Sequence, residues 1–191
     1  MKIYPQYIQF NGRTQLHSAC LNHKFELVNE LIKKGININE QDADGQTALY
    51  LAKNNEIIRI LLSAGANPNL QEKYAGYTAL MDTLIWPDKN KFGQLVNVTD
   101  TNIKTIFGYT ALMLAARNND VDAIDLLIKA GADPYILNNE GEDFYDILSL
   151  ASQEIIQKKY PDFFKRRNGV IISNLFNTNS AIENSGSGNQ I

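Results

Sequence analysis

The chain has a single cysteine, Cys20, in 191 residues. No internal disulfide can staple it, and its stability has to come from packing. Histidine is almost as scarce: His17 and His23 are the only two, which leaves little material for general-base, nucleophilic or metal chemistry. No apolar run is long enough to cross a bilayer, so no membrane association is expected. The opening MKIYPQYIQFNGR carries a proline and polar residues where a secretory core needs an unbroken apolar run. With no export signal legible and one thiol, the expected compartment is a reducing cytoplasm. Positive charge is in deficit as well. A formal charge of −3 and a pI near 5.4 provide no general field for phosphate backbones, so nucleic acid is not expected as a partner. No Gly-x4-Gly-Lys-[Ser/Thr] loop is present to cradle a nucleotide, and no cofactor is expected.

What the chain does contain is a repeat. Gly12, Gly45, Gly76, Gly108 and Gly141 are spaced by 33, 31, 32 and 33 residues, the kind of period that marks stacked supersecondary units. The segments after them read RTQLHSAC, QTALYLAK, YTALMDTL, YTALMLAA and EDFYDILS, and the first four keep Thr and then Leu two places on. A second landmark follows in LIKKGININ (31–39), LLSAGANPN (61–69) and LLIKAGADPY (126–135), with a weaker counterpart in LVNVTDTN (95–102).

The pattern describes a turn, a short helix, a reversal, a longer helix and a glycine stop. Thr14, Thr47, Thr78 and Thr110 sit where N-caps belong. Leu16, Ala19, Leu49, Ala52, Leu112, Ala115 and Ala116 follow at helical spacing, as do Leu27, Val28, Leu31 and Ile32, and Val121, Ile124, Leu127 and Ile128. Gly35, Gly65 and Gly131 fall just past the last apolar turn, where a left-handed residue is cheap for glycine. Asn or Asp at 37, 39, 67, 69, 102 and 133 can cap the loops. One unit of this size cannot bury its apolar face, so neighbours must stack.

These residues resemble the ankyrin repeats over roughly residues 11 to 150, best in GYTALMLAARNNDVDAIDLLIKAGAD (108–133). The resemblance implies an all-α solenoid of helix-turn-helix units joined by loop or β-turn fingers. It also implies a concave binding surface made by fingers and first helices, and recognition of other proteins without catalysis. The expected organisation is a lead-in at 1–10 and a repeat domain at 11–164, with units near 11–43, 44–74, 75–106, 107–139 and 140–164. A C-terminal tail at 165–191 is expected to be largely disordered.

Departures from the pattern matter as much. The family's proline after Thr is replaced by Gln15, Ala48, Ala79 and Ala111. The second unit is about three residues short between Leu51-Ala52 and Ile57-Ile58, which implies a clipped first helix or reversal around Asn54 and Asn55. The third carries Trp86-Pro87 where its first helix should end and Val98 where the stop glycine should be, so the stack should be irregular at its centre. The fifth unit, 141–164, reads as a cap, with Glu142, Asp143, Asp146, Gln153 and Lys158 on its polar face.

His17, Cys20 and His23 lie at successive helical turns, so a small metal-dependent enzyme is the alternative from another class. The structural reading of this trio is better: His17 occupies the family's structural His, Cys20 a small core position, and His23 the reversal. No metal site and no catalytic residues are expected. Charge is uneven. Residues 117 to 146 hold eight acids against Arg117 and Lys129, while Lys158, Lys159, Lys165, Arg166 and Arg167 form a basic run. The acidic end suits a basic partner.

Positions that the resemblance assigns to partner recognition flank the turn glycines and follow the first helices. Here they hold Phe10, Asn11, Arg13, Leu21 and Asn22 in the first unit, and Ala43, Asp44 and Gln46 in the second. The third and fourth offer Tyr74, Tyr77, Ile85 and Trp86, then Ile106, Phe107, Tyr109, Arg117 and Asn118. The binding site is therefore expected at Arg13, Tyr74, Tyr77, Trp86, Phe107, Tyr109, Arg117 and Asn118, because exposed Tyr, Trp and Arg dominate protein-interface energetics. Trp86 is the ring most able to turn inward and fill space beside Pro87. The expected function is a non-catalytic binding protein, monomeric when unbound, that masks or inhibits a partner protein. An immunity-type or effector protein that neutralises a nucleic-acid-acting toxin or enzyme is the alternative within the same class.

Overall fold

The computed structural model describes residues 10–161. The sequence expectations for the lead-in, for the tail and for Phe163, Phe164, Lys165, Arg166 and Arg167 lie outside that range. Among the described residues there are ten α-helices and one isolated antiparallel bridge, Gln41 to Thr47. The helices are α1 Gln15–Leu21, α2 Phe25–Lys33, α3 Ala48–Leu51, α4 Asn55–Ser63, α5 Ala79–Ile85, α6 Lys89–Leu95, α7 Ala111–Arg117, α8 Val121–Lys129, α9 Phe144–Ile147 and α10 Leu150–Lys159. Of the described residues, 10–148 belong to one compact unit and 149–161 to a second.

The first helix of each repeat starts where the sequence places its cap. Thr47, Thr78 and Thr110 accept from the backbone N–H groups of Tyr50, Met81 and Met113, and Asp143 does the same for Tyr145 and Asp146, satisfying donors that the first helical turn leaves open. In the first repeat His17 takes part. Its Nδ1 accepts from the Thr14 N–H at 3.1 Å, so the ring proton sits on Nε2, which donates to the Gln46 carbonyl at 3.0 Å. Second helices are capped by Asn54, Asp88 and Asp120.

Within the first unit, α1, α3, α5, α7 and α9 stack in order, and α2 packs on α4 and α4 on α6. Between them the repeated leucines Leu16, Leu49, Leu80 and Leu112 are fully buried with Ile57, Ile58, Leu61, Leu95, Ile124 and Leu127, each worth about 1.5–3 kcal/mol of transfer free energy. α6 and α8 make no comparable contact. In the second unit Ser149 caps α10 by accepting from Ser152 N–H, and Lys158 and Lys159 occupy its last turn, where cations favour the helix dipole.

Two hydrogen-bond ladders lock the repeats in register. Along the fingers, the N–H groups of Ala43, Lys73, Ile106 and Asn139 donate to the carbonyls of Asn11, Asp44, Ala75 and Phe107 at 2.9–3.2 Å. Along the loops, the side-chain oxygens of Asn39, Asn69 and Asn102 accept from the N–H groups of Asn67, Asp100 and Asp133 at 2.7–2.8 Å.

The irregular centre has a physical cause in each departure. α3 is only four residues long, so the Tyr50 carbonyl has no helical N–H four residues on. The Lys91 ammonium, fully buried, donates to it at 2.6 Å. By repeat alignment Lys91 stands where the second repeat has Ile57, and Asp82 where it has Leu51. Asp82 accepts from the Tyr50 hydroxyl at 3.2 Å and pairs with Lys53 at 3.4 Å. Pro87 stands where the first and fourth repeats place His23 and Asn119 at φ +54° and +53°. Proline cannot adopt that angle. The residue before it is therefore extended, Trp86 at φ −117° and ψ 91°.

Two predictions follow from these contacts. A Cβ on Gly108, which sits at φ +81°, would lie 2.7 Å from the Asn139 backbone nitrogen, whereas one on Gly65, at φ +88°, meets nothing within 4 Å. Gly65→Ala should then cost about 1–2 kcal/mol of conformational energy, and Gly108→Ala at least twice as much in urea unfolding; equal losses would show that the finger contact is not tight. The second concerns Lys91. Burial first, then the Lys53 ammonium, push it down from 10.5 to about 8, against the pull of Asp82 and Asp88. Between pH 8 and 10 the unfolded chain binds more protons, so stability rises with pH there, by at most about 1.4 kcal/mol per unit. The stability difference between wild type and Lys91→Met should grow in favour of wild type from pH 7.5 to 9.5. A flat difference would rule out a depressed ammonium.

Candidate functional site

Each finger is closed by a backbone bond across its turn: Asp42 N–H to Gln46 O, Glu72 N–H to Tyr77 O, Thr105 N–H to Tyr109 O and Asn138 N–H to Glu142 O, all at 2.9 Å. The third finger spans one residue more than the others. Register with the neighbouring fingers pairs Lys73 with Ala43 and Ala75 with Asp44, which leaves Tyr74 as the additional residue. The side chain that organises the turn lengthens to match. Where Asp42 accepts from the N–H groups of Asp44 and Gln46, Glu72 reaches Tyr74, Ala75 and Tyr77 at 2.7–3.0 Å. Burial alone would raise the Glu72 pKa, but these backbone donors outweigh it and hold the carboxyl below its ordinary value.

The additional residue is thrust outward. Tyr74 is 66% exposed, and on the next fingertip Ile106 and Phe107 are 58% and 55% exposed. The two tips are neighbours through the Ile106 N–H to Ala75 O bond at 3.0 Å. Tyr74 is also tethered: its hydroxyl donates to Asp44 at 2.9 Å, and Asp44 accepts from the Asn11 amide on its other oxygen. The bond to Asp44 raises the phenol pKa, with the Asp44 charge acting in the same direction. A large, exposed ring is thus held in one orientation, which lowers the entropy lost when it is covered.

The remaining expected positions divide between this tip and the far end of the first helices. Tyr77 and Tyr109 are half-buried, and their carbonyls close the fingers. Trp86, the ring most able to turn inward, is instead 70% exposed; the extended backbone imposed by Pro87 turns it out. It lies beyond the C-terminus of α5, whose seven residues span about 10 Å at 1.5 Å rise per residue, at the opposite end of the helix from the fingertips. Exposed Arg117 ends α7, the helix packed beside α5. Two positions are committed internally. The Asn118 amide donates to the Leu84 carbonyl at 2.5 Å, and Arg13 pairs with buried Asp42 at 3.3 Å. For Phe10 the structure describes backbone only.

His17, Cys20 and His23 do not converge. His17 is buried with both ring nitrogens engaged, and burial lowers its pKa, keeping it neutral. Burial raises the Cys20 thiol to about 12, far from a reactive thiolate. His23 is exposed in the reversal. Among the described residues no group of three or more His, Cys, Asp or Glu side chains could hold a metal ion, and no helix is long and apolar enough to cross a membrane.

Sequence reasoning missed a groove in the third and fourth repeats, of about 540 Å³, lined by Thr83, Leu84, Ile85, Pro87, Asp88, Lys89, Phe92, Asn118, Asp120, Asp122, Ala123 and Leu126. The signal available was the proline together with an outer helix, α6, two residues shorter than α4 and α8.

Comparison with known proteins adds the following. The family model described as ankyrin repeats in three copies matches residues 3–72, and that for a single ankyrin repeat matches 107–139. The chain is 35% identical over 136 residues, 69% of its length, to an ankyrin repeat protein of fowlpox virus. It is 30% identical over 134 residues, 66% of its length, to transient receptor potential cation channel subfamily A member 1 of Homo sapiens. It spans 31% and 12% of those two proteins. Among solved structures, the ankyrin repeat domain of Bcl-3 shares the fold with a TM-score of 0.73 at 20% identity, over 80% of this chain and 71% of that one.

Proposed function

Because this chain belongs to the ankyrin-repeat family, whose members are generally non-catalytic protein-interaction modules, we propose that it binds another protein through its third and fourth fingertips and thereby masks or inhibits it. The observation that carries this reading is the run of Tyr74, Ile106 and Phe107 on adjacent tips, large apolar side chains more than half exposed, with the first tethered by Asp44. Rings in that state contribute area at little entropic cost when buried by a partner. Tyr77 and Tyr109 flank them, and Trp86 with Arg117 supplies a second contact at the other end of the first helices.

The excess of acids between residues 117 and 146 favours a basic partner, through complementary potential that speeds encounter. An immunity-type or effector role against a nucleic-acid-acting enzyme or toxin would be one instance of such masking. The chain acts as a monomer before binding, and a lone buried thiol fits a reducing cytoplasm.

Affinity capture from a lysate of the organism that encodes the chain, using wild type and the Tyr74→Ala/Phe107→Ala double variant, tests the site. Both rings are exposed, so the variant should fold as wild type does, and each truncation of a buried anchor should weaken binding at least about tenfold. A partner retained equally by both proteins would remove the fingertips from the reading. Association with the captured partner should also slow several-fold between about 50 and 500 mM salt; an unchanged on-rate would discard the electrostatic part.

A further inference from the structure

We propose that the groove between α6 and α8 is a second docking site, which takes a short basic segment of another protein presenting an apolar anchor such as Leu or Phe between arginines or lysines. It lies at the reversal end of the third and fourth repeats, a helix length away from the fingertips and beside Trp86 and Arg117, so its test is independent of Tyr74, Ile106 and Phe107 but not of that second contact.

The groove exists because the outer helices stop closing at this step. α2 covers α4 and α4 covers α6, but α6 is two residues shorter than α4 and α8, its entry is redirected by Pro87, and it makes no comparable contact with α8. The resulting cleft of about 540 Å³ lies within the range of sites that hold several side chains. Its floor is apolar, formed by Leu84, Phe92 and Ala123, nearly fully buried. Its walls are Ile85 and Leu126, left 37% and 43% exposed. An apolar residue entering there would cover surface that α4 and α6 cover for each other one repeat earlier.

Charge selects the occupant. Three carboxylates, Asp88, Asp120 and Asp122, line the cleft against one ammonium, Lys89. Asp88 and Asp120 use one oxygen each to cap α6 and α8 at 3.0 Å, and Asp122 is exposed on the first turn of α8. A segment without cations leaves these charges desolvated and uncompensated, and an acidic one is repelled. Guanidinium groups flanking an apolar anchor meet both halves of the surface, since they pair with carboxylates while their stems cover apolar walls.

The test uses three fluorescein-labelled decapeptides on the full chain: one with a Leu-Phe pair flanked by two arginines on each side, one with those arginines changed to glutamate, and one with Leu-Phe changed to Ser-Ser. Anisotropy gives affinity, and backbone amide shifts locate the site. The expected result is binding of the first peptide alone, with shifts confined to residues 83–92 and 118–126, weakened at least tenfold by Leu126→Ser and by Asp122→Lys. Asp122 is exposed, so Asp122→Lys carries the test alone should Leu126→Ser disturb folding. Equal binding of the Ser-Ser peptide, shifts at the fingertips, or affinity indifferent to Asp122→Lys would overturn the proposal. So would self-association of the chain in sedimentation that Leu126→Ser abolishes, which would assign the groove to a second copy.

Discussion

One backbone hydrogen bond passed from finger to finger sets the register of the first unit. The carbonyl preceding each turn glycine, on Asn11, Asp44, Ala75 and Phe107, accepts from the next finger. For that bond to form, the chain must approach within van der Waals distance of the preceding turn. At Gly108 a Cβ would sit 2.7 Å from the incoming nitrogen, and at Gly45 2.8 Å. The glycine period is therefore a record of close approach as well as of positive φ. Leucine stacking then follows, because fingers in register bring each buried Leu over the one before it.

Where a repeat departs from the pattern, a second departure answers it. The third finger gains a residue, and Glu72 replaces the shorter Asp so that its carboxylate still reaches three N–H groups of the turn. The second repeat loses the end of its first helix, and Lys91 enters from the third repeat to satisfy the carbonyl left open, with Asp82 nearby to offset its charge. Each pair exchanges apolar or short side chains for longer polar ones that reach backbone groups the altered repeat leaves open.

The same departures create the exposed surface. An added residue has no place in the finger ladder, so Tyr74 is driven outward. A proline cannot take the left-handed reversal, so Trp86 is turned out and α6 is displaced from α8. Binding surface on this scaffold arises at its irregularities, where the requirement that neighbours cover each other is relaxed.

Much of the fold was legible in the residues themselves. The glycine period, threonine caps, leucine spacing, clipped second repeat and helix-breaking Trp86-Pro87 are local constraints of φ, capping and periodicity, and each can be evaluated within one repeat. The resemblance to a repeat family added the stacking order. Exposure was not legible. The sequence could not separate Tyr74, held out by Asp44, from the half-buried Tyr77 and Tyr109, nor show that Arg13 and Asn118 are spent on Asp42 and Leu84. The groove and the Lys91 to Tyr50 bond were likewise decided only in three dimensions. Such contacts join residues about thirty or forty positions apart, and whether a side chain is free depends on what the neighbouring repeat has left unsatisfied.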